Sequence, residues 1–226
     1  MYKYDLHIHT SECDKVALSD GAQIVRLYRD SGYDGIVITD HYFHHFYDWF
    51  ENEFDYGNHK TIIDRYLKGY YNAKNEAEKT GFKVFCGAEV RFDGTINDYL
   101  VYGLEESDFY NLPFLNRLHS VSELADALPD YALIVQAHPF RDKMTVCTPD
   151  IIGGIEGYNG CTEKIRNDMA KMFASHYSKI ITSGSDFHGP DQLAKGGIIT
   201  QLEIKTTKEL ADVLKKRNFD IIESYR

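Results

Sequence analysis

Five apolar runs of this chain end in a histidine or a carboxylate, and no other feature narrows its possible folds as far. The clusters are Asp5-Leu6-His7-Ile8-His9, Thr39-Asp40-His41, Gly87-Ala88-Glu89, Gln136-Ala137-His138-Pro139 and Gly184-Ser185-Asp186-Phe187-His188. Each follows or closes a stretch that reads as a buried strand. A parallel barrel brings its C-terminal strand ends to one mouth, where such folds keep their chemistry. Neutral imidazoles and carboxylates gathered there are donors that borderline and hard divalent metals prefer.

Strand and helix signals alternate along the chain. Tyr4 to His9 reads as a first strand, and Ser19 and Asp20 offer N-cap chemistry to a helix bearing Ile24, Leu27 and Tyr28 that closes near Gly32. Gly35 to Thr39 is a β-branched strand of the buried type. An aromatic, acidic stretch runs from Tyr42 to Asn58, and one long polar helix is predicted over about 61–79. Further strands are predicted at 84–89, 98–103, 133–137, 151–158, 180–183 and 198–204. Helices are expected around Ile165 to Phe173 and around Leu210 to Leu214. No repeat or linker interrupts the pattern, so residues 1–226 are expected to form one domain. Alternating elements predict a parallel α/β architecture, doubly wound or barrel. Donors from many strands must reach one point, which favours the barrel.

With 35 acidic against 25 basic residues the net charge is −10, a field that disfavours non-specific nucleic-acid binding. The four cysteines form no CxxC pair, and no apolar run is long enough to span a bilayer, so a cytoplasmic, reduced setting is expected. Cys86 reads as core; Cys13 reads as a small buried filler, with a thiolate ligand as the alternative.

His7 and His9 are two apart on a strand, so both leave one face and can share a cation. Asp5 is expected on the same face, as a partner that fixes an imidazole tautomer. His41 ends the second strand. Glu89, at the end of an apolar strand, needs a partner if buried: a metal, two bridged metals, or Arg91. His138 precedes a proline that stops its strand, and Asp186 and His188 again share a face.

These motifs, HxH, TDH, a glutamate, a histidine and a late SDxH, resemble those of the polymerase-and-histidinol-phosphatase (PHP) family of metal-dependent phosphoesterases, in family order from Asp5 to His188. The stretches Ala137-His138-Pro139-Phe140-Arg141 and Glu156-Gly157-Tyr158-Asn159-Gly160 look like segments of its small bacterial members. The resemblance implies a distorted seven-stranded (β/α)7 barrel with two or three divalent metals, Zn, Mn or Fe, at the C-terminal strand ends. It implies His7, His9, Glu89 and Asp186 on a first metal, Glu89 and His138 on a second, and Asp14, His41 and His188 on a third. Glu12 is the rival of Asp14. Many members carry a further histidine on the strand after the glutamate. Residues 97–103 contain none, leaving Asp98, Glu105 or water as substitutes; His119 is expected at the surface.

The expected reaction is hydrolysis of a small phosphate ester, as in a phosphatase, by metal-activated water. Arg141 and Arg91 are candidate phosphate clamps, each with an ion pair to a nearby acid as its alternative role. His44 is a candidate proton donor to the leaving group, with His45 beside it. The expected partner is a small phosphorylated substrate, without long nucleic acid or membrane. The rival readings are a nucleotide phosphodiesterase or nuclease, an amidohydrolase acting on C–N bonds, and a non-catalytic metal-binding protein.

Overall fold

A computed structural model describes residues 1–224. Its strands are β1 (Tyr2–Ile8), β2 (Gly35–Ile38), β3 (His41–Tyr42), β4 (Lys83–Arg91), β5 (Asp98–Tyr102), β6 (Leu133–Gln136), β7 (Gly154–Asn159), β8 (Ile180–Gly184), β9 (Gly196–Thr200) and β10 (Asp220–Glu223). Its helices are α1 (Gly21–Asp30), α2 (His44–Phe50), α3 (His59–Tyr66), α4 (Lys68–Ala77), α5 (Glu106–Asn111), α6 (Val121–Ala127), α7 (Lys164–His176) and α8 (Thr207–Lys216). The sheet order is β10-β9-β1-β2-β4-β5-β6-β7-β8, with β3 beside β4. At the upper rim β1 meets β8 directly, through a bridge between Ile8 and Phe187 and bonds from His9 N to Phe187 O (3.0 Å) and Phe187 N to His7 O (3.1 Å). The seven strands β1, β2, β4, β5, β6, β7 and β8 thus curl into a nearly closed barrel, and β9 and β10 extend it in antiparallel fashion.

The barrel is not all parallel. β5 runs antiparallel to both β4 and β6. Only the short turn Phe92–Asn97 joins β4 to β5, and a parallel return needs a crossover of a dozen or more residues. Reversal places the start of β5 at the mouth, so Asp98 lies there and Glu105 lies at the opposite end.

Alternation along the strands divides the core. Tyr4, Leu6, Val37, Phe85, Leu100, Tyr102 and Val135 fill the barrel with Leu210 and Leu214 of α8, and the Tyr102 hydroxyl donates across it to Leu6 O (3.2 Å). Ile36, Ile38, Cys86 and Ala88 face outward against Ile24, Tyr28, Ile62 and Tyr66 of the helices. Strands buried on both faces require the near-continuous apolar runs seen in the sequence.

The single helix expected over about 61–79 is two helices, broken at Leu67. The break seats Gly69 against the loop after β1: a Cβ there would lie 1.9 Å from Thr10 Oγ1, and one on Gly21 would lie 2.4 Å from Gly69 O. Backbone this close leaves no room for a methyl group. Gly69→Ala is therefore expected to cost about 1–3 kcal/mol or more in a denaturant titration, by overpacking the loop that carries Thr10.

Candidate metal centre

β1 delivers the first two donors through an irregularity. Its register with β2 shifts between Asp5 and Ile8, which interrupts the alternation at the rim. Tyr4 and Leu6 stay in the interior, and His7 and His9 both turn into the mouth. Asp5 does not share their face. Its carboxylate accepts from Tyr28 Oη (2.9 Å), Ser185 N (3.0 Å) and the Ser185 hydroxyl, tying β1 to α1 and β8. The residue that holds the His7 imidazole is Glu156 on β7, whose Oε1 lies 2.8 Å from His7 Nδ1.

Glu89 stands at the centre. Its Oε2 is 3.3 Å from both His7 Nε2 and His9 Nε2, and Asp186 Oδ1 is 3.5 Å and 3.4 Å from the same two nitrogens. His7 Nε2, His9 Nε2 and Glu89 Oε2 are buried and make no hydrogen bond. Buried polar atoms without partners carry a desolvation cost of about 1–3 kcal/mol each. Donors bound at about 2.1 Å around a tetrahedral ion sit about 3.4 Å apart, so this spacing fits a divalent metal.

Two further groups adjoin. His9, Asp14, His41 and His188 bring donor atoms within 4.8 Å of one another, as do Glu89, Asp98 and His138. Asp14 Oδ2 is 2.7 Å from His41 Nδ1 and 3.5 Å from His188 Nε2, and His138 Nε2 is 3.0 Å from Glu89 Oε1. The structure therefore brings all eight expected metal ligands together. Glu12 lies outside the group: it accepts from Gly21 N (3.1 Å) and Asn72 Nδ2 (2.6 Å) at the start of α1. Cys13 is buried, with its thiol 2.7 Å from Tyr66 O, and His119 is exposed. Glu105 pairs with Lys208 (3.3 Å), away from the mouth.

His138 and Asp186 adopt φ of 27° and 53°, in the left-handed region, directly beyond β6 and β8. Such backbone costs about 1–3 kcal/mol in a non-glycine residue and persists only where surroundings enforce it. Glu156 Oε2 does so by accepting from His138 N (3.0 Å) and from Asn159 Nδ2 (2.9 Å), and Asn159 Nδ2 also reaches Asp186 Oδ2 (3.2 Å). Glu156 and Asn159 thus orient ligands on three strands. They stand in the Glu156–Gly160 stretch noted in the sequence, which assigned them no role.

Charge dominates the site. Asp14, Glu89, Asp98, Glu156 and Asp186 are all at most 3% exposed, and the nearby guanidinium groups are those of Arg91 and Arg141. Burial alone would raise the carboxylate pKa values; instead the imidazoles hold Glu89 and, with Arg141, Asp186 well below their ordinary range. Burial opposes protonation of His7, but Glu156, Glu89 and Asp186 outweigh it and raise its pKa. Burial is likewise outweighed at His41, raised to about 10 by Glu89 and Asp14. His9, buried beside His41 and His188, is pushed down to about 3. Cationic charge is needed among these acids, and divalent metals bound by these groups would supply it.

Both arginines lean on acids. Arg91 grips Asp98 with Nε to Oδ1 and Nη2 to Oδ2, each 2.6 Å. Arg141 bonds Asp186, Asn159 Oδ1 (3.0 Å) and Thr162 Oγ1 (3.1 Å). His44 is not brought into the cluster: it is 65% exposed on α2, whose buried face is Phe46, Tyr47 and Phe50, and its charged neighbour is Asp48 at 3.6 Å. Phe43 alone reaches the site from this segment, stacking on His41 at 4.7 Å between ring centres.

Known proteins share this fold. The model of the PHP-associated family matches residues 164–219. A two-domain protein from Bacteroides vulgatus containing a predicted PHP-like metal-dependent phosphoesterase superposes with a TM-score of 0.65 at 18% identity, over 98% of this chain and 64% of that one. The lesion-specific endonuclease PfuEndoQ from Pyrococcus furiosus gives 0.64 at 16% identity, over 97% of this chain and 57% of that one. An amidohydrolase from Chromobacterium violaceum gives 0.59 at 13% identity, over 84% and 89%. No curated protein matches in sequence. The chain has the fold of the PHP-like metal-dependent phosphoesterases, the fold that the likeness of its motifs implied.

Two expectations follow. Glu156→Gln removes the charge that orients His7 and is expected to weaken the tightest metal by about 10–100-fold in a chelator competition. Asp14→Asn is expected to lower bound metal in an elemental measurement, whereas Glu12→Gln leaves metal content unchanged.

Proposed function

We propose that this protein is a metal-dependent phosphoesterase that hydrolyses a small phosphate monoester at the barrel mouth. The observation that carries the reading is the set of unpartnered, buried donor atoms at metal-ligand spacing, flanked by two more donor groups. Divalent ions held there would lower the pKa of a coordinated water and neutralise charge on the phosphoryl oxygens.

The chain's own groups supply the rest. His7, His9, Glu89 and Asp186 would hold the first ion, Asp14, His41 and His188 the third, and Glu89 and His138 the core of the second. Arg91 and Arg141 are each held on one side by an acid and stay about a third exposed. Held guanidinium groups lose little freedom on binding an anion, which suits the outer oxygens of a phosphate monoester. Phe43, against His41, excludes water from one wall. The exposed His44 is not assigned proton transfer; solvent reaches the leaving group.

An acidic chain with arginines engaged by acids offers no basic track for a polynucleotide, which favours a small substrate. The described residues contain no helix long and apolar enough to cross a membrane.

Protein of measured metal content, screened against phosphate monoesters, a phosphate diester and a cyclic amide, tests the reading. Monoester turnover that needs metal and is lost in His9→Ala and Asp186→Ala is expected. Turnover of the amide alone, or of no ester with any of Zn, Mn or Fe, would sink it.

A further inference from the structure

The reversed strand β5 puts an acid where a second metal ligand is needed. Asp98 opens β5 directly across from Arg91 of β4, and its backbone oxygen accepts from Ala137 N (3.0 Å), the residue before His138. Its side chain is buried, with Oδ2 3.9 Å from His138 Nε2, and with Glu89 the three donors share one small volume. No histidine lies in residues 97–103.

We propose that Asp98 completes the second metal site, which thereby takes a hard, oxygen-preferring divalent cation such as Mn2+ rather than the ion of the first and third sites. This rests on the reading of the mouth as a metal centre and goes beyond it in naming a ligand and a selectivity. The donor count supplies the reason. The third site has two imidazoles and one carboxylate, and the first has two of each. Glu89, Asp98 and His138 offer two carboxylates and one imidazole, and oxygen donors suit manganese and magnesium whereas imidazole suits zinc and iron.

The ion pair with Arg91 does not use Asp98 up. Each carboxylate oxygen has two acceptor sites, so one can face the guanidinium and the other an ion. Arg91 Nε and Nη2 fix the plane of the carboxylate, as outer hydrogen bonds fix the ligands of metal sites. Arg91 also places a positive charge beside the site. A site with a cationic neighbour binds its ion more weakly, so this ion exchanges most readily.

The full-length protein, loaded with zinc and titrated with Mn2+, provides the test, with bound Mn2+ counted by electron paramagnetic resonance and zinc by elemental analysis. Wild type is expected to bind one Mn2+ beside its zinc. Asp98→Asn is expected to weaken that Mn2+ at least about tenfold with zinc content unchanged. Asp98→His, which supplies an imidazole at the same position, is expected to fill the site with zinc and exclude Mn2+. Unchanged Mn2+ binding in Asp98→Asn would overturn the assignment, and so would unchanged metal preference in Asp98→His should the first variant fail to fold. Absence of any bound divalent ion in wild type would overturn the metal centre as well, whereas bound metal without ester turnover would overturn only the proposed reaction.

Discussion

Buried negative charge at the barrel mouth is the constraint on which this structure depends. Five carboxylates sit out of water within reach of one another, and two guanidinium groups cannot balance them. Isolated buried carboxylates are costly enough that they change protonation or acquire a partner. His7, His41 and His188, whose pKa values these acids raise, would carry positive charge among them, and metal ions would supply the same charge. The same arrangement explains why hydrogen-bond partners are missing at His7 Nε2, both ring nitrogens of His9 and Glu89 Oε2 in the middle of an otherwise well-bonded site.

Holding such a cluster requires the rest of the fold. The interior packing of Tyr4, Phe85 and Tyr102 sets the strands at their spacing, and the loop after β1 is locked by Thr10 donating to Asp40 through N (2.6 Å) and Oγ1 (2.8 Å). Gly69 lets α4 press on that loop, and Gly21 lets α1 press on α4. Glu156 and Asn159 then tie β6, β7 and β8 to His7. Left-handed backbone at His138 and Asp186 is the local cost of aiming donors from strand ends at one point.

Much of the site was legible because metal ligands are rare residue types in conspicuous places. A histidine at the end of an apolar run stands out, and pairs at spacing two share a face unless the strand is irregular. That exception is why Asp5 misled: the irregular register of β1 moved it out of phase with His7, and no side-chain pattern announces such a shift. Glu156 stayed without a role because its importance lies in what it touches across 149 residues of chain. Arg91, Arg141 and Asp98 were visible as residues, but their pairing was not. His44 looked chemical in sequence, and lies on the outer face of a helix whose aromatic side packs inward.

The sequence by itself determined the class of fold and the strand-end positions of its histidines and carboxylates, because periodicity and residue chemistry are local properties; the seven-strand ring and the ligand set came from the family resemblance of its motifs. Only the tertiary structure decided the direction of β5, the break at Leu67, the choice of Asp14 over Glu12, and the partners of each arginine. Those depend on which side chains meet across the barrel, and the decisive step was the short connection before Asp98. It reversed one strand and so carried an acid, instead of the far-end Glu105, into the mouth.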